Sequence, residues 1–213
     1  MQYAHFEPDT IASWDRFYRA NLLNCLSGFK STHLIGTLSQ DGYTNLGLFH
    51  NVVHIGSDPA LIGYINRPRE AAPHTLENIE RTGVYTMNSV QADMIQRAHQ
   101  TSAKYPRHVS EFEAAGVSAC FRKGIPAPFV LESAIQYALR LVEVTPIRHN
   151  NTFLVIGRLI GAWVREDLIG EDGYLSLEKA ETVTSLGLDG YYGVRLLERY
   201  PYAKPDPEHE GAP

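Results

Sequence analysis

Residues 43–53 read Tyr43-Thr44-Asn45-Leu46-Gly47-Leu48-Phe49-His50-Asn51-Val52-Val53. The chain continues through Asp58-Pro59-Ala60-Leu61-Ile62-Gly63 to Arg67-Pro68-Arg69, His74-Thr75-Leu76-Glu77-Asn78-Ile79 and Thr82-Gly83-Val84-Tyr85-Thr86-Met87-Asn88. A strand of small residues, a second strand, a turn with two arginines and a polar helix start therefore share one unit. That unit suits a flat ring carrying a phosphate. A loop–helix junction supplies oriented N–H donors for an anion, and arginine supplies a fork of donors. Small side chains let a strand backbone approach a planar ring closely.

Outward from this unit, the punctuation predicts mostly strands. Ser13 to Ser27 reads as a helix, with Ser13 as N-cap, a stripe of Trp14, Phe17, Tyr18, Leu22 and Leu26, and Gly28 as the stop. Residues 31–38 and 44–55 read as a hairpin closed by Ser39-Gln40-Asp41-Gly42, and residues 60–66 as a third strand. A short helix over 73–81 starts at Pro73, and 84–88 returns as a strand. Residues 93–100 read as a further helix. Residues 101–128 are the least regular stretch, and a loop of that length in a compact domain is often functional. Ile135, Tyr137, Leu139 and Leu141 then alternate with other residues in a half-buried strand, and Arg148-His149-Asn150-Asn151 turns into a long strand over 152–164. Strands joined by tight turns, with short helices between, predict a mainly β fold closed into an antiparallel barrel. Neither Gly-x-Gly-x-x-Gly nor Gly-x-x-x-x-Gly-Lys-Ser/Thr occurs, which argues against a Rossmann domain and a P-loop.

The chain has 213 residues, 44% of them hydrophobic and 20% charged, enough to bury a core without staples. The expected organisation is one domain over residues 1–200 with an N-terminal helix. The tail, 201–213, holds four prolines among acidic residues and is expected to be extended or disordered. The net charge of −5 argues against a general nucleic-acid binder. No apolar run reaches membrane-spanning length and no secretory leader is visible, so the expectation is a cytoplasmic protein. Cys25 and Cys120 form no framework or metal signature and are expected as small core residues.

The ordered succession Gly42, Asn45, Phe49-x-x-Val52-Val53, Asp58-Pro59-x-Leu61-Ile62-Gly63, Arg67, His74-Thr75-x-x-Asn78-Ile79, Gly83 and Asn88 resembles the flavin reductase-like family of the FMN-binding split barrel. Ser110-Glu111-Phe112-Glu113-x-x-Gly116, Pro128, Glu132-Ser133, Gly157 and Gly187-Leu188-Asp189-Gly190-Tyr191-Tyr192 continue it, so the likeness covers roughly Leu23 to Tyr192. The resemblance implies a split β-barrel that binds FMN as a homodimer, with electrons passing from NADH or NADPH to flavin. Reduced flavin then goes to a partner monooxygenase or another acceptor. An FMN-holding electron-transfer protein is the alternative, and a flavin-free binding module a third reading. Carried over position by position, Asn45, Leu46, Gly47, Leu48, Phe49, His50 and Asn51 match the strand along the flavin ring. Arg67, His74, Thr75 and Asn78 match positions around the phosphate or ribityl chain. No side chain is assigned as catalytic, because the chemistry resides on the flavin. The chain departs from many family members at Leu48 and His50, where Ser or Thr is common, and at Ala162-Trp163-Val164-Arg165, which lacks their histidine.

Other readings compete with these. Arg67 and Arg69 equally suit a solvated turn. His74-Thr75 could simply cap a helix, since a cap and an anion use the same donors. His50 and His54 lie four residues apart, but on a strand that spacing spans about 13 Å, too far to share one zinc, so no metal is expected. Glu132-Ser133 reads as a structural contact. Trp14, Phe17, Tyr137 and Trp163 are candidates to meet a second copy.

Overall fold

The computed structural model describes residues 1–204; residues 205–213, most of the expected tail, lie outside it. Two helices open the chain, α1 (Pro8–Ser13) and α2 (Arg16–Leu26), followed by strands β1 (Lys30–Ser31) and β2 (His33–Leu38). Then come β3 (Thr44–Phe49), β4 (Val52–Ser57), β5 (Ala60–Asn66), helix α3 (Pro73–Thr82) and β6 (Val84–Ser89). Helices α4 (Ile95–Gln100) and α5 (Glu111–Ala114) precede the hairpin β7 (Ala119–Arg122) and β8 (Ile125–Val130). The two long strands β9 (Ile135–Ile147) and β10 (Thr152–Val164), then β11 (Val183–Leu186) and β12 (Gly190–Gly193), complete the fold.

Seven strands form one antiparallel sheet in the order β3-β2-β6-β9-β10-β5-β4. Its two outermost strands, β3 and β4, are consecutive in sequence, joined only by His50 and Asn51. Phe49 and Val52 can therefore lie at most about 11 Å apart. In a flat sheet six strand spacings would separate these edges by about 29 Å. The sheet must curl until its edges meet, and no ladder joins them, so the barrel is split along this seam. Asn51 carbonyl accepts from Ile65 N–H at 3.0 Å and ties the splice to β5.

Alternation along the strands separates two cores. Ile35, Phe49, Tyr64, Leu76, Ile79, Tyr85, Met87, Leu139 and Val155 fill the barrel and the end that α3 plugs. Leu34, Leu46, Val90, Met94, Phe112, Val130 and Val183 pack on the other face, beneath α5 and the hairpin. A hydrophobic stripe puts Leu76 and Ile79 inside, and Gly83 ends α3 in the left-handed conformation at φ 73°, where glycine carries no Cβ penalty.

Several local expectations change. The single helix over 13–27 is broken at Trp14-Asp15, and the cap of α2 is Asp15, whose carboxylate accepts from Phe17 N–H at 2.9 Å and Tyr18 N–H at 3.2 Å. The strand expected over 44–55 is two strands in opposite edges of the sheet. The irregular 101–128 stretch contains α5 and most of the β7–β8 hairpin. Cys25 is exposed and Cys120 half-buried, so neither is a core residue. Ser133 and Glu132 do make structural contacts, to Ser89 carbonyl at 2.7 Å and to Ser118 N–H at 3.1 Å.

Candidate functional site

Strand β3 pairs on one side only, with β2. On its free side Leu46 N–H donates to Glu111 Oε2 at 3.0 Å, so strand alternation puts Leu48 N–H on the same unpaired edge. Glu111 is 6% exposed; burial raises its carboxyl pKa, against the hydrogen bond from Leu46. Thr44 Oγ1 lies 2.6 Å from Ser110 Oγ. The α5 region thus clips one end of the edge and leaves the rest open.

That open edge, the 50–51 splice, the start of α3 and residues 101–105 enclose a cavity of about 600 Å³, the size of a small-molecule site. Asn45, Leu46, Gly47, Leu48, Phe49, His50, Asn51, Arg67, His74 and Thr75 all line it. Asn78 does not: it is buried one layer behind, and its Nδ2 donates to Thr37 Oγ1 at 3.0 Å. Arg69 is also engaged elsewhere. It forks onto Glu80 at 2.7 and 2.5 Å and lies over the Phe153 ring at 4.9 Å.

The charge of the wall opposes that of the whole chain. Lys30, Arg67 and Lys104 line the cavity with His50, His74 and His99, against Glu70 and Glu111; Lys30 Nζ also donates to Asn24 and Gly28 carbonyls at 2.7 and 3.0 Å. Burial, followed by the nearby Arg67, Lys30 and His99, pushes the His50 imidazole down to about 4. Its Nδ1 is paired with Ser185 Oγ. Burial also lowers the pKa of His74, helped by Arg107 and opposed by Glu77. Helix α3 has no side-chain cap: Ala72 occupies the cap position and Pro73 has no N–H, which leaves the His74 and Thr75 N–H groups for an acceptor in the cavity.

Lys30, His99, Glu111, Leu188 and Tyr191 line this cavity without having been singled out as site residues in the sequence. They arrive through distant contacts, such as His99 Nδ1 to Tyr191 hydroxyl at 2.7 Å. Only the length of the irregular 101–128 stretch hinted at the contribution of Lys104 and Tyr105. Among the described residues no group of three or more His, Cys, Asp or Glu could hold a metal, and no helix is long and apolar enough to cross a membrane.

An open seven-stranded split barrel with a cationic, strand-edged cavity defines the class of protein. Residues 27–180 match the flavin reductase like domain, and the chain belongs to that family. A protein with a split barrel domain from Shewanella frigidimarina NCIMB 400 is 42% identical, with a TM-score of 0.91 over 94% of this chain and 100% of its own. Nitrilotriacetate monooxygenase component B from Bacillus cereus shares the fold at 18% identity, with a TM-score of 0.82 over 94% of this chain and 100% of its own. Flavoredoxin of Desulfovibrio vulgaris (Miyazaki F) shares it at 19% identity, with a TM-score of 0.72 over 83% of this chain and 92% of its own.

Proposed function

We propose that the chain binds FMN in this cavity and is an oxidoreductase of the flavin reductase type. In this reading NADH or NADPH is the transient hydride donor, and reduced flavin or its electrons pass to a partner such as a monooxygenase. The observation that carries the reading is a cationic wall joined to an open strand edge in a chain of net charge −5. Arg67 and the N–H groups of His74 and Thr75 fit the phosphate. The ring fits along β3, where a Cβ at Gly47 would meet the Phe49 ring at 2.9 Å and Thr75 Oγ1 at 3.3 Å. Leu48 N–H offers a donor to the ring's polar edge, and His50, with its pKa of about 4, stays neutral there at pH 7. When bound, FMN supplies the redox chemistry; the chain holds, orients and polarises it.

The assembly that fits is a homodimer. Phe17, Leu26 and Phe29 are 69%, 73% and 60% exposed along and just after α2, a concentration of apolar surface suited to an interface. Of the other sequence candidates, Tyr137 packs on the barrel core, Trp163 packs on Phe129, and Trp14 packs between Phe6 and Tyr18. The proposed setting is the reducing cytoplasm, which suits two free cysteines.

Titration with FMN, followed by fluorescence quenching, tests the reading. Saturation near one FMN per chain at micromolar concentration is expected, and no saturable binding overturns it. Steady-state oxidation of NADH or NADPH in the presence of free FMN then separates a reductase from an electron carrier, which would hold FMN without turnover.

A further inference from the structure

Thr37 lies in β2, is fully buried, and does not line the cavity. Its Oγ1 accepts from Asn45 Nδ2 at 3.2 Å and from Asn78 Nδ2 at 3.0 Å. The same Asn45 Nδ2 also donates to Thr75 Oγ1 at 3.0 Å. An amide nitrogen carries two hydrogens, so both of Asn45's are committed, one to each hydroxyl. In the structure the Asn45 amide turns its nitrogen towards the two threonines. It also decides the role of Thr75. A hydroxyl has one hydrogen to give, and Thr75 Oγ1 already serves Asn45 as an acceptor. Its hydrogen has no acceptor within the chain among the described residues, and Thr75 sits in the first turn of α3, on the cavity wall. Thr75 is therefore left as a donor, beside the backbone N–H groups that also point at the cavity.

We infer that Thr37 is a positioning residue for the ligand site: through Asn45 it sets Thr75 as a hydrogen-bond donor to an anionic oxygen in the cavity. The inference rests on the FMN reading, in which that oxygen belongs to the phosphate. Asn78 braces the same hub from α3, which gives it a role in the site although it touches nothing in the cavity. Without the Thr37 oxygen, the Asn45 amide loses one of its two acceptors and is free to rotate. Its carbonyl oxygen could then turn to Thr75 and take the hydroxyl hydrogen away from the ligand. Asn78 Oδ1 already has no partner among the described residues, so the order of the hub rests on the three amide–hydroxyl bonds.

The test is a double-mutant cycle on the full chain with FMN and riboflavin as probes. Thr37→Val should weaken FMN about tenfold, the value of one hydrogen bond to a charged group, and riboflavin by less than about twofold because it lacks the phosphate. Thr37→Ser, which keeps the oxygen, should restore FMN affinity. In a Thr75→Val background Thr37→Val should add almost nothing, because the two residues act through one hydroxyl. Additive losses, equal losses for both probes, or failure of Thr37→Ser to rescue overturn the inference and leave the FMN reading standing. Wild-type protein that fails to bind FMN overturns the reading and the inference together. If Thr37→Val does not fold, Thr37→Ser against Thr37→Ala supplies the same contrast, and an unrescued loss in Thr37→Ser has the same force.

Discussion

Helices α2 and α3 are nearly equal in length and opposite in what they leave unfinished. Helix α2 has 11 residues, none buried, and a well-made start on the Asp15 carboxylate. Helix α3 has 10 residues, of which Thr75, Leu76, Asn78 and Ile79 are buried, a glycine stop, and no side-chain cap at its start. One is closed at its end and open along its side; the other is packed along its side and open at its end. Helix stability in proteins comes mainly from packing an apolar face. The open end of α3 therefore suits something small and polar, and the open side of α2 suits something broad and apolar, as the proposed FMN site and homodimer require.

The largest expected effect breaks or confirms this contrast directly. Leu76→Ala should cost about 2–5 kcal/mol of stability, as a buried leucine does, while Leu26→Ala should change the stability of the monomeric fold by no more than about 0.5 kcal/mol. Urea unfolding at low protein concentration measures both, and equal losses would erase the difference between the helices. Next, Phe17→Asp with Leu26→Asp should weaken self-association by at least about 2 kcal/mol if these residues anchor an interface. Size exclusion with light scattering reads this, and a wild-type monomer that binds FMN tightly would remove the dimer from the account.

At the open end of α3, Arg67→Ala should weaken FMN by about 1.5–3 kcal/mol, the worth of a charge-assisted bond, or roughly ten- to a hundredfold. Riboflavin should lose much less. Equal losses would mean that Arg67 supports the fold and not the phosphate.

A pH dependence carried by two buried histidines completes the comparison. Burial, with His50 nearby, pushes His33 down to about 4, and His50 lies at about 4 as well. The ordinary histidine value is 6.5. The unfolded chain therefore takes up protons first as the pH falls, and stability is present above pH 6.5 and lost between 6.5 and about 4. A net fall in stability across that window is expected, offset in part by Glu111, whose raised carboxyl pKa favours the folded chain as the pH drops. Thermal melts of the wild type and His50→Gln check it, the variant showing a shallower fall. Helix α2 contains no histidine, so Leu26→Ala should leave the profile unchanged.

What the sequence made legible follows from how local each signal is. Ten of the eleven proposed ligand residues lie in three short runs, and the fold keeps those runs together on one wall. Lys30 and Tyr191 stand far from those runs in sequence, and pairs such as His50–Ser185 and His99–Tyr191 are made only by the tertiary fold. Asn78 follows Thr75 and His74 at helical spacing, yet its amide turns inward because Thr37 offers a buried acceptor there. Residues 44–55 read as one strand because both halves favour strand, and periodicity does not register which edge of a sheet a strand joins. Asp15 displaced Ser13 as the cap because its carboxylate reaches two N–H groups of the first turn.

The two-residue splice at His50-Asn51 also limits where the chain can change length. Extra residues inserted there would release the constraint that draws β3 and β4 together, letting the sheet edges part and the cavity wall with them. The same insertion between Gln40 and Asp41 would only lengthen an exposed turn between β2 and β3. Fusion partners, reporter peptides and engineered loops therefore have a permissive address two residues long at 40–41 and a forbidden one at 50–51, ten residues further along the same chain.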